Sequence, residues 1–243
     1  MFSQIKTQGF VFLSEDRLEA DKLFYVFSKD FGRIIVLAKS IRKINSKLKG
    51  NIGVFSFCNI EFIEGRTRKI LTDASLVKKL KNIQTKPEKL RLSFELVQLF
   101  NKFLKGSEQD EKMLEFLKDF FIRLNNAKLK KKDYSIFKNY FFWHFVLVLG
   151  YAPQVSMCYK CSGKLNPYYL YFSNDDGGIV CKECLEKNKA YLKLNSDVVK
   201  IIRLILDKKL DLLLKLKVEK DSLELLERVT KSYDDYLTGR FAT

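Results

Sequence analysis

The stretch Val54–Gly65, VFSFCNIEFIEG, alternates without a break: Val54, Ser56, Cys58, Ile60 and Phe62 fall on one face, and Phe55, Phe57, Asn59 and Glu61 on the other. A period of two is that of a strand with one side in a core. Outward from it, FVFLS (Phe10–Ser14), LFYVFS (Leu23–Ser28), RIIVLAKS (Arg33–Ser40) and RKILTD (Arg68–Asp73) are short runs rich in β-branched and aromatic residues. Turn residues at Asp30–Gly32 and Glu64–Thr67 stand where hairpins need them. Five short strands packed into so short a segment predict a small closed barrel of the OB type, because closure removes the exposed edges of a small sheet.

Beyond this region the period changes. Pro87 suits a first helical turn, and Leu90, Leu92, Phe94, Leu96, Val97, Phe100 and Leu104 recur near helical spacing. A second helix is expected from about Gln109 to Leu124 and a third from about Tyr134 to Leu149, with the basic run Asn125–Asp133 between them as a loop or frayed end. Cysteine pairs dominate Tyr151–Asn188, and Ser196–Gly239 is helical again, starting with a Ser or Asp cap before VVKIIRLIL. The expected class is α+β and multidomain. The barrel occupies 1–80, a mostly helical domain 81–150, an inserted four-cysteine module 151–190, and terminal helices packing with the helical domain 191–243.

The 243 residues are 47% hydrophobic with 3 Pro and 11 Gly, which excludes a disordered or fibrous polymer. Lys and Arg total 45 against 29 Asp and Glu, a formal charge of +16. Such a surplus points to a polyanion, either nucleic acid or, less often, an anionic membrane surface. Lys outnumbers Arg 35 to 10, a bias that an AT-rich genome also produces. The excess is nevertheless uneven: +7 for Met1–Leu80, +6 for Lys81–Gly150 and +3 for Tyr151–Thr243. The most apolar stretch, Phe141–Ala152, is shorter than the roughly 20 residues a bilayer requires and reads as a buried helix. MFSQIKTQGF lacks the pattern of a signal peptide, so the expected compartment is the cytoplasm, where thiols stay reduced.

Four of the five cysteines form two C-x-x-C pairs, Cys158/Cys161 and Cys181/Cys184, with 19 residues between the pairs. That is the spacing of a four-thiolate zinc site, in which two tight turns each present two sulfurs to one ion at about 2.3 Å. Four protein ligands leave no open position for water, so the expected Zn2+ is structural. Gly163, Gly177 and Gly178 supply turning backbone, and Lys160, Lys164 and Lys182 stand near enough in sequence to offset the charge of the cluster. Cys58 sits in a strand pattern and reads as core. His144, the only histidine, stands amid apolar residues and reads as core too, leaving poor material for general-base chemistry. There is no phosphate-binding G-x-x-x-x-G-K-[ST] loop and no G-x-S-x-G elbow. Glu15-Asp16, Asp175-Asp176 and Asp234-Asp235 read as solvated surface. No catalytic residues are expected and the chain is expected not to be an enzyme.

The sharpest charge cluster, AKSIRKINSKLKG (Ala38–Gly50), carries Lys39, Arg42, Lys43, Lys47 and Lys49 with no acidic residue among them. Arg66, Arg68 and Lys69 cluster at the last hairpin, and Lys29 and Arg33 flank the Asp30–Gly32 turn. A charge run alone is often only a solvated face. On the connections of a small barrel, these ten residues become the candidate contacts to DNA, with Tyr25, Phe31 and Phe55 as candidate base stackers or, equally, core residues.

At this point the chain resembles the RecO family of bacterial DNA repair and recombination mediators. EADKLFYVFSKDFGRIIVLAKSIRK (Glu19–Lys43) is similar to its barrel motif. WHFVLVLGYAPQVSMCYKC (Trp143–Cys161) is similar to its helix, Gly-Tyr-x-Pro turn and first knuckle, and FSNDDGGIVCKEC (Phe172–Cys184) to its second. Ser40 and Ser162 depart from the pattern, standing where glycines are common in the family. The resemblance implies a non-enzymatic protein that binds single- and double-stranded DNA, anneals complementary strands and engages the acidic tail of single-strand-binding protein. It also implies work with RecR in loading RecA, at the nucleoid and away from any membrane. A different class stays open: a zinc-containing protein-interaction scaffold in which DNA contact is secondary, as the small charge excess after Tyr151 would suit.

Overall fold

The computed structural model describes residues 4–103 and 110–241; Leu104 of the expected helical face and Gln109 at the expected start of the next helix lie outside them. Between Ala127 and Lys128 the chain divides into two compact units.

In the first unit, β1 (Gln4–Arg17), β2 (Asp21–Ser28), β3 (Gly32–Ala38), β4 (Ser56–Glu64) and β5 (Lys69–Lys79) close into a barrel of order β1-β2-β3-β5-β4. All neighbours are antiparallel except β3 and β5, which pair in parallel through Val36↔Lys69 and Leu37↔Ile70. The alternation of β4 is realised as read. Cys58, Ile60 and Phe62 enter the barrel core with Val11, Phe24, Val26, Ile34 and Val36. On the opposite face Phe57 stacks on Phe10 with ring centroids 4.8 Å apart, while Asn59 and Glu61 bond to Gln8 and Gln4 of β1. The connection from β3 to β4 lies outside the strands, and its Ile41, Leu48 and Ile52 join the barrel core.

Three helices complete this unit: α1 (Lys81–Thr85), α2 (Pro87–Phe103) and α3 (Glu111–Asn126). Aromatic contacts bind them to the outside of the barrel. Phe100 of α2 meets Phe12 and Phe27 edge-on at 5.6 and 5.5 Å, and Phe121 of α3 lies 4.7 Å from Phe10. The division between units therefore falls inside the stretch expected as one helical domain, because burying this aromatic face couples α2 and α3 to the barrel. Asp110 caps α3 by accepting the Met113 N–H at 2.9 Å. At its other end sits the buried Lys89 of α2, whose ammonium donates to the carbonyls of Leu124, Asn125 and Ala127, each at 2.7 Å.

The second unit is built on α4 (Lys131–Val148), whose Phe141–Val146 segment is fully buried. The helix begins earlier than expected, since the Asp133 carboxylate accepts the Lys130 N–H at 2.8 Å and secures the first turn that the basic run was expected to fray. His144 is buried in this helix, as read, and among the described residues no helix is long and apolar enough to cross a membrane. Trp143 stacks on Tyr233 at 5.5 Å and donates from Nε1 to Thr230 Oγ1 at 2.8 Å. Strands β6 (Leu170–Ser173), β7 (Gly178–Val180) and β8 (Leu192–Leu194) form an antiparallel sheet of order β7-β6-β8, and α5 (Ser196–Leu206), α6 (Leu210–Lys215) and α7 (Lys220–Phe241) follow. The cap of α5 is neither of the two residues expected. Asn195 accepts the Val198 N–H at 2.9 Å, which places Ser196 and Asp197 inside the first turn.

Candidate metal centre and nucleic-acid interface

Each cysteine pair is folded by its own local bonds. In the first, Ser162 N–H donates to the Cys158 carbonyl and Cys158 N–H to the Gly163 carbonyl, both at 2.9 Å, which curls the backbone around one point. Ser162 takes φ +55°, the left-handed conformation that this tight a turn requires. In the second, a single 3-10 turn, Lys182–Cys184, brings Cys184 N–H to the Cys181 carbonyl at 3.1 Å. Two glycines join the knuckles to the sheet for different reasons. Gly177 has φ +63°, whereas at Gly178 a Cβ would lie 2.6 Å from the Gln154 carbonyl oxygen, so only a hydrogen fits.

The result gathers Cys158, Cys161, Cys181 and Cys184 with all four sulfurs within 4.8 Å of one another. Cys161 Sγ and Cys181 Sγ are 3.8 Å apart. Four bonds of about 2.3 Å in a tetrahedron give an edge of about 3.8 Å, so the thiolates fit a metal ion. Burial pushes the Cys158 thiol up, but backbone N–H groups of Cys161, Cys181 and Lys160 outweigh it and bring the thiol down to about 6. Burial, together with the hydrogen bonds the thiol makes to the Glu183 carboxylate and the neighbouring thiols, carries Cys181 up to about 12. Of the lysines expected to offset the cluster's charge, Lys160 pairs with Glu186 and Lys182 lies over the Tyr169 ring at 4.8 Å.

The candidate DNA contacts separate into groups. Arg33, Arg66, Arg68 and Lys69 line one groove of about 820 Å³, together with Phe31, Asp30 and Glu64. Both carboxylates have partners: Lys69 pairs with Glu64, and Thr7 Oγ1 donates to Asp30 at 2.6 Å. Arg42 and Lys49 line a second cleft of about 400 Å³. Lys22 and Lys79 line it as well and were not singled out from the sequence; they meet only because the barrel closes. Asp16 reaches Lys22 at 3.1 Å and Arg42 at 3.4 Å. Lys39, Lys43 and Lys47 are exposed on the β3–β4 connection, and among the described residues none of them has a carboxylate in ion-pair range. Lys29 pairs with Glu111 of α3 at 3.1 Å, apart from both clefts.

The aromatic candidates fare differently. Phe55 is fully buried, with its ring 5.1 Å from Phe94 of α2 and 5.9 Å from Phe121 of α3, and serves the core. Phe31 packs edge-on against Phe62 at 5.7 Å yet still borders the larger groove. Tyr25 is half-buried and bonded to Glu15. Cys58, read as core, is fully buried, and burial pushes its thiol up.

A closed five-stranded barrel with cations at two clefts, followed by a helical unit carrying a four-cysteine cluster, defines an OB-barrel protein with a cysteine module whose sulfurs could hold a metal ion. Comparison with known proteins narrows the class. A family model described as "Recombination protein O N terminal" matches residues 1–80, and one described as "Recombination protein O C terminal" matches residues 78–242. The chain belongs to the RecO family. A Caldicellulosiruptor bescii relative named DNA repair protein RecO is 29% identical over 233 residues, covering 94% of this chain and 91% of its own. Relatives of the same name from Thermoanaerobacter sp. and Dehalococcoides mccartyi are 28% and 25% identical, covering 94% and 91% of this chain and 90% and 86% of their own.

Proposed function

We propose that this chain is a non-enzymatic DNA repair protein of recombination. In this reading it binds single- and double-stranded DNA through its basic barrel, anneals complementary strands and helps load the recombinase RecA onto strands coated by single-strand-binding protein. The observation that carries the reading is the set of exposed cations on the β3–β4 connection, continuous with the cleft lined by Lys22, Arg42, Lys49 and Lys79. Lysine and arginine at phosphates of two strands would lower their repulsion and let complementary bases meet. Such contacts hold a strand in register without reading its sequence. The acidic tail of single-strand-binding protein is an anion of the same kind, and RecR is the partner expected from the family. The compartment in this reading is the cytoplasm, at the nucleoid.

The four thiolates would hold one Zn2+, which as a structural ion ties the two knuckles to the sheet; an all-sulfur donor set suits zinc. The organisation we propose gives DNA binding to residues 1–80, support to the helices of 81–150, the metal to 151–190 and closure of the helical core to 191–243. A scaffold reading draws on one observation, the exposed Tyr159 inside the first cysteine pair.

The test is strand annealing and labelled single-strand binding by the full chain across a salt series. Affinity is expected to fall steeply with salt. The double reversal Arg42→Glu/Lys43→Glu is expected to weaken binding at least tenfold for all sequences alike. A flat salt dependence, or an indifferent double variant, would overturn the electrostatic reading and favour the scaffold.

A further inference from the structure

The metal site is surrounded by an ion network that joins its two halves. Lys160 lies inside the first knuckle, between Cys158 and Cys161, and its ammonium pairs with Glu186, two residues beyond the second knuckle's Cys184. Lys160 Nζ also donates to Tyr191 Oη at 3.4 Å, and Glu186 N–H donates to the same oxygen at 3.2 Å. Asp176, on the turn before β7, lies 3.9 Å from Lys160 and 3.4 Å from Lys189, which in turn reaches Glu186 at 3.6 Å. The Lys160 and Asp176 side chains are 19% and 11% exposed and form the sheltered half of the network, while Lys189 and Glu186, at 33% and 53%, form its open edge.

We propose that Lys160 and Glu186 act as a clamp that sets the spacing of the two knuckles before the metal arrives, making Lys160 a positioning residue for the metal centre. The inference rests on the reading that the four thiolates hold a metal ion. Two lysines face two carboxylates, so the network is neutral within itself. It does little to balance the negative charge of a four-thiolate cluster. What it does supply is a side-chain link between the two turns, added to the backbone link in which Tyr159 N–H donates to the Ile179 carbonyl at 2.8 Å. With the sulfurs already at tetrahedral spacing, binding needs less ordering of the chain, and release must break the network as well as the metal–sulfur bonds. Partners one layer outside the ligands commonly change metal affinity by about 10- to 100-fold.

The experiment uses the full chain and Zn2+ itself. Zinc affinity and the rate of zinc transfer to a chromophoric chelator are measured for wild type, Lys160→Met, Glu186→Gln, Lys160→Arg and the charge swap Lys160→Glu/Glu186→Lys. Fluorescence of Trp143 reports in each sample that the second unit is folded. The two neutral variants are expected to bind zinc about tenfold more weakly and to release it about tenfold faster. The charge swap and Lys160→Arg are expected to regain most of the loss, a rescue that a merely local packing role would not give. The cobalt-substituted spectrum is expected to show undistorted tetrahedral sulfur ligation in wild type and in the charge swap. Neutral variants that bind and release zinc as wild type does, while wild type binds one ion, overturn the clamp alone. A wild-type chain that takes up no metal overturns the four-thiolate reading and the clamp with it.

Discussion

Lys89 offers the most direct test of how the first unit is held together. Its side chain is 2% exposed, and one ammonium satisfies three carbonyls at the end of α3. Lys89→Met keeps the length and apolar stem and removes the donor. The Asn125 carbonyl would still accept from Asn82 Nδ2 at 3.1 Å, so the carbonyls of Leu124 and Ala127 lose their donor. An unsatisfied buried polar group costs about 1–3 kcal/mol. Two such groups would cost about 2–6 kcal/mol, and sparing the ammonium its desolvation returns about 2 kcal/mol of this, leaving a net loss of up to about 4 kcal/mol. For a unit of this size each kcal/mol moves the midpoint by roughly 4 °C, so the first thermal transition should fall by on the order of 10 °C. Circular-dichroism melting of the full chain measures it, with the exposed neighbour substitution Lys86→Met as a control expected to stay within about 0.5 kcal/mol. An unchanged or raised midpoint would refute the reasoning. It would show that taking the ammonium out of water cancels everything its three bonds contribute.

Ser162→Gly should raise the stability of the metal-loaded chain by about 0.5–1 kcal/mol in urea denaturation, because φ +55° strains any side chain but not glycine; a loss would show that the Ser162 hydroxyl outweighs the strain. Burial, with the neighbouring Tyr236 adding to it, pushes the Tyr233 hydroxyl up to about 12. The folded chain then holds this proton where the unfolded chain, with an ordinary value near 10, has lost it. This stability is complete below about pH 10 and is lost towards pH 12, by at most about 1.4 kcal/mol per pH unit. Urea midpoints between pH 9 and 11.5 should therefore decline less steeply in Tyr233→Phe, and parallel profiles would remove Tyr233 as the cause. Asp16→Asn should tighten single-strand binding about two- to fivefold at low salt, since it releases Lys22 and Arg42 for phosphate, with the gain fading as salt rises. Fluorescence anisotropy would show it, and equal or weaker binding would place the contact surface away from this cleft.

What could be read in advance was whatever depends on local pattern. The alternation at Val54–Gly65 reports a strand because one of its faces, Cys58, Ile60 and Phe62, lies in the core. The cysteine pairs report a thiolate cluster because two intervening residues are what a knuckle needs, and the sulfurs do converge. The extent of β5 could not be read. After Asp73 its residues Ser75–Lys79 are exposed, so no apolar rhythm marks them, although the ladder with β4 runs on to Lys79. Lys89 was equally silent, since a lysine on an amphipathic helix reads as solvent-facing until the end of another helix is placed over it. The cleft joining Lys22, Arg42, Lys49 and Lys79 is a product of closure, and no spacing along the chain announces it. The two serines at glycine-favouring positions were visible only as departures from a pattern, yet Ser40 and Ser162 both adopt positive φ, 54° and 55°. Each holds a side chain in a conformation that glycine tolerates best.

The β3–β4 connection has a double duty with consequences for how this protein can vary. In the closed order, β5 lies between β3 and β4, so the chain leaving Ala38 must cross the mouth of the barrel to begin β4 at Ser56. On the way it pushes Ile41, Leu48 and Ile52 inward as a stopper, while Arg42, Lys43, Lys47 and Lys49 face solvent. The apolar residues of this segment are therefore answerable to the fold and the cations, in the function proposed above, to DNA, alternately along one short run of chain. Its charges can be retuned one at a time without loosening the barrel, but the segment cannot be shortened without uncorking it.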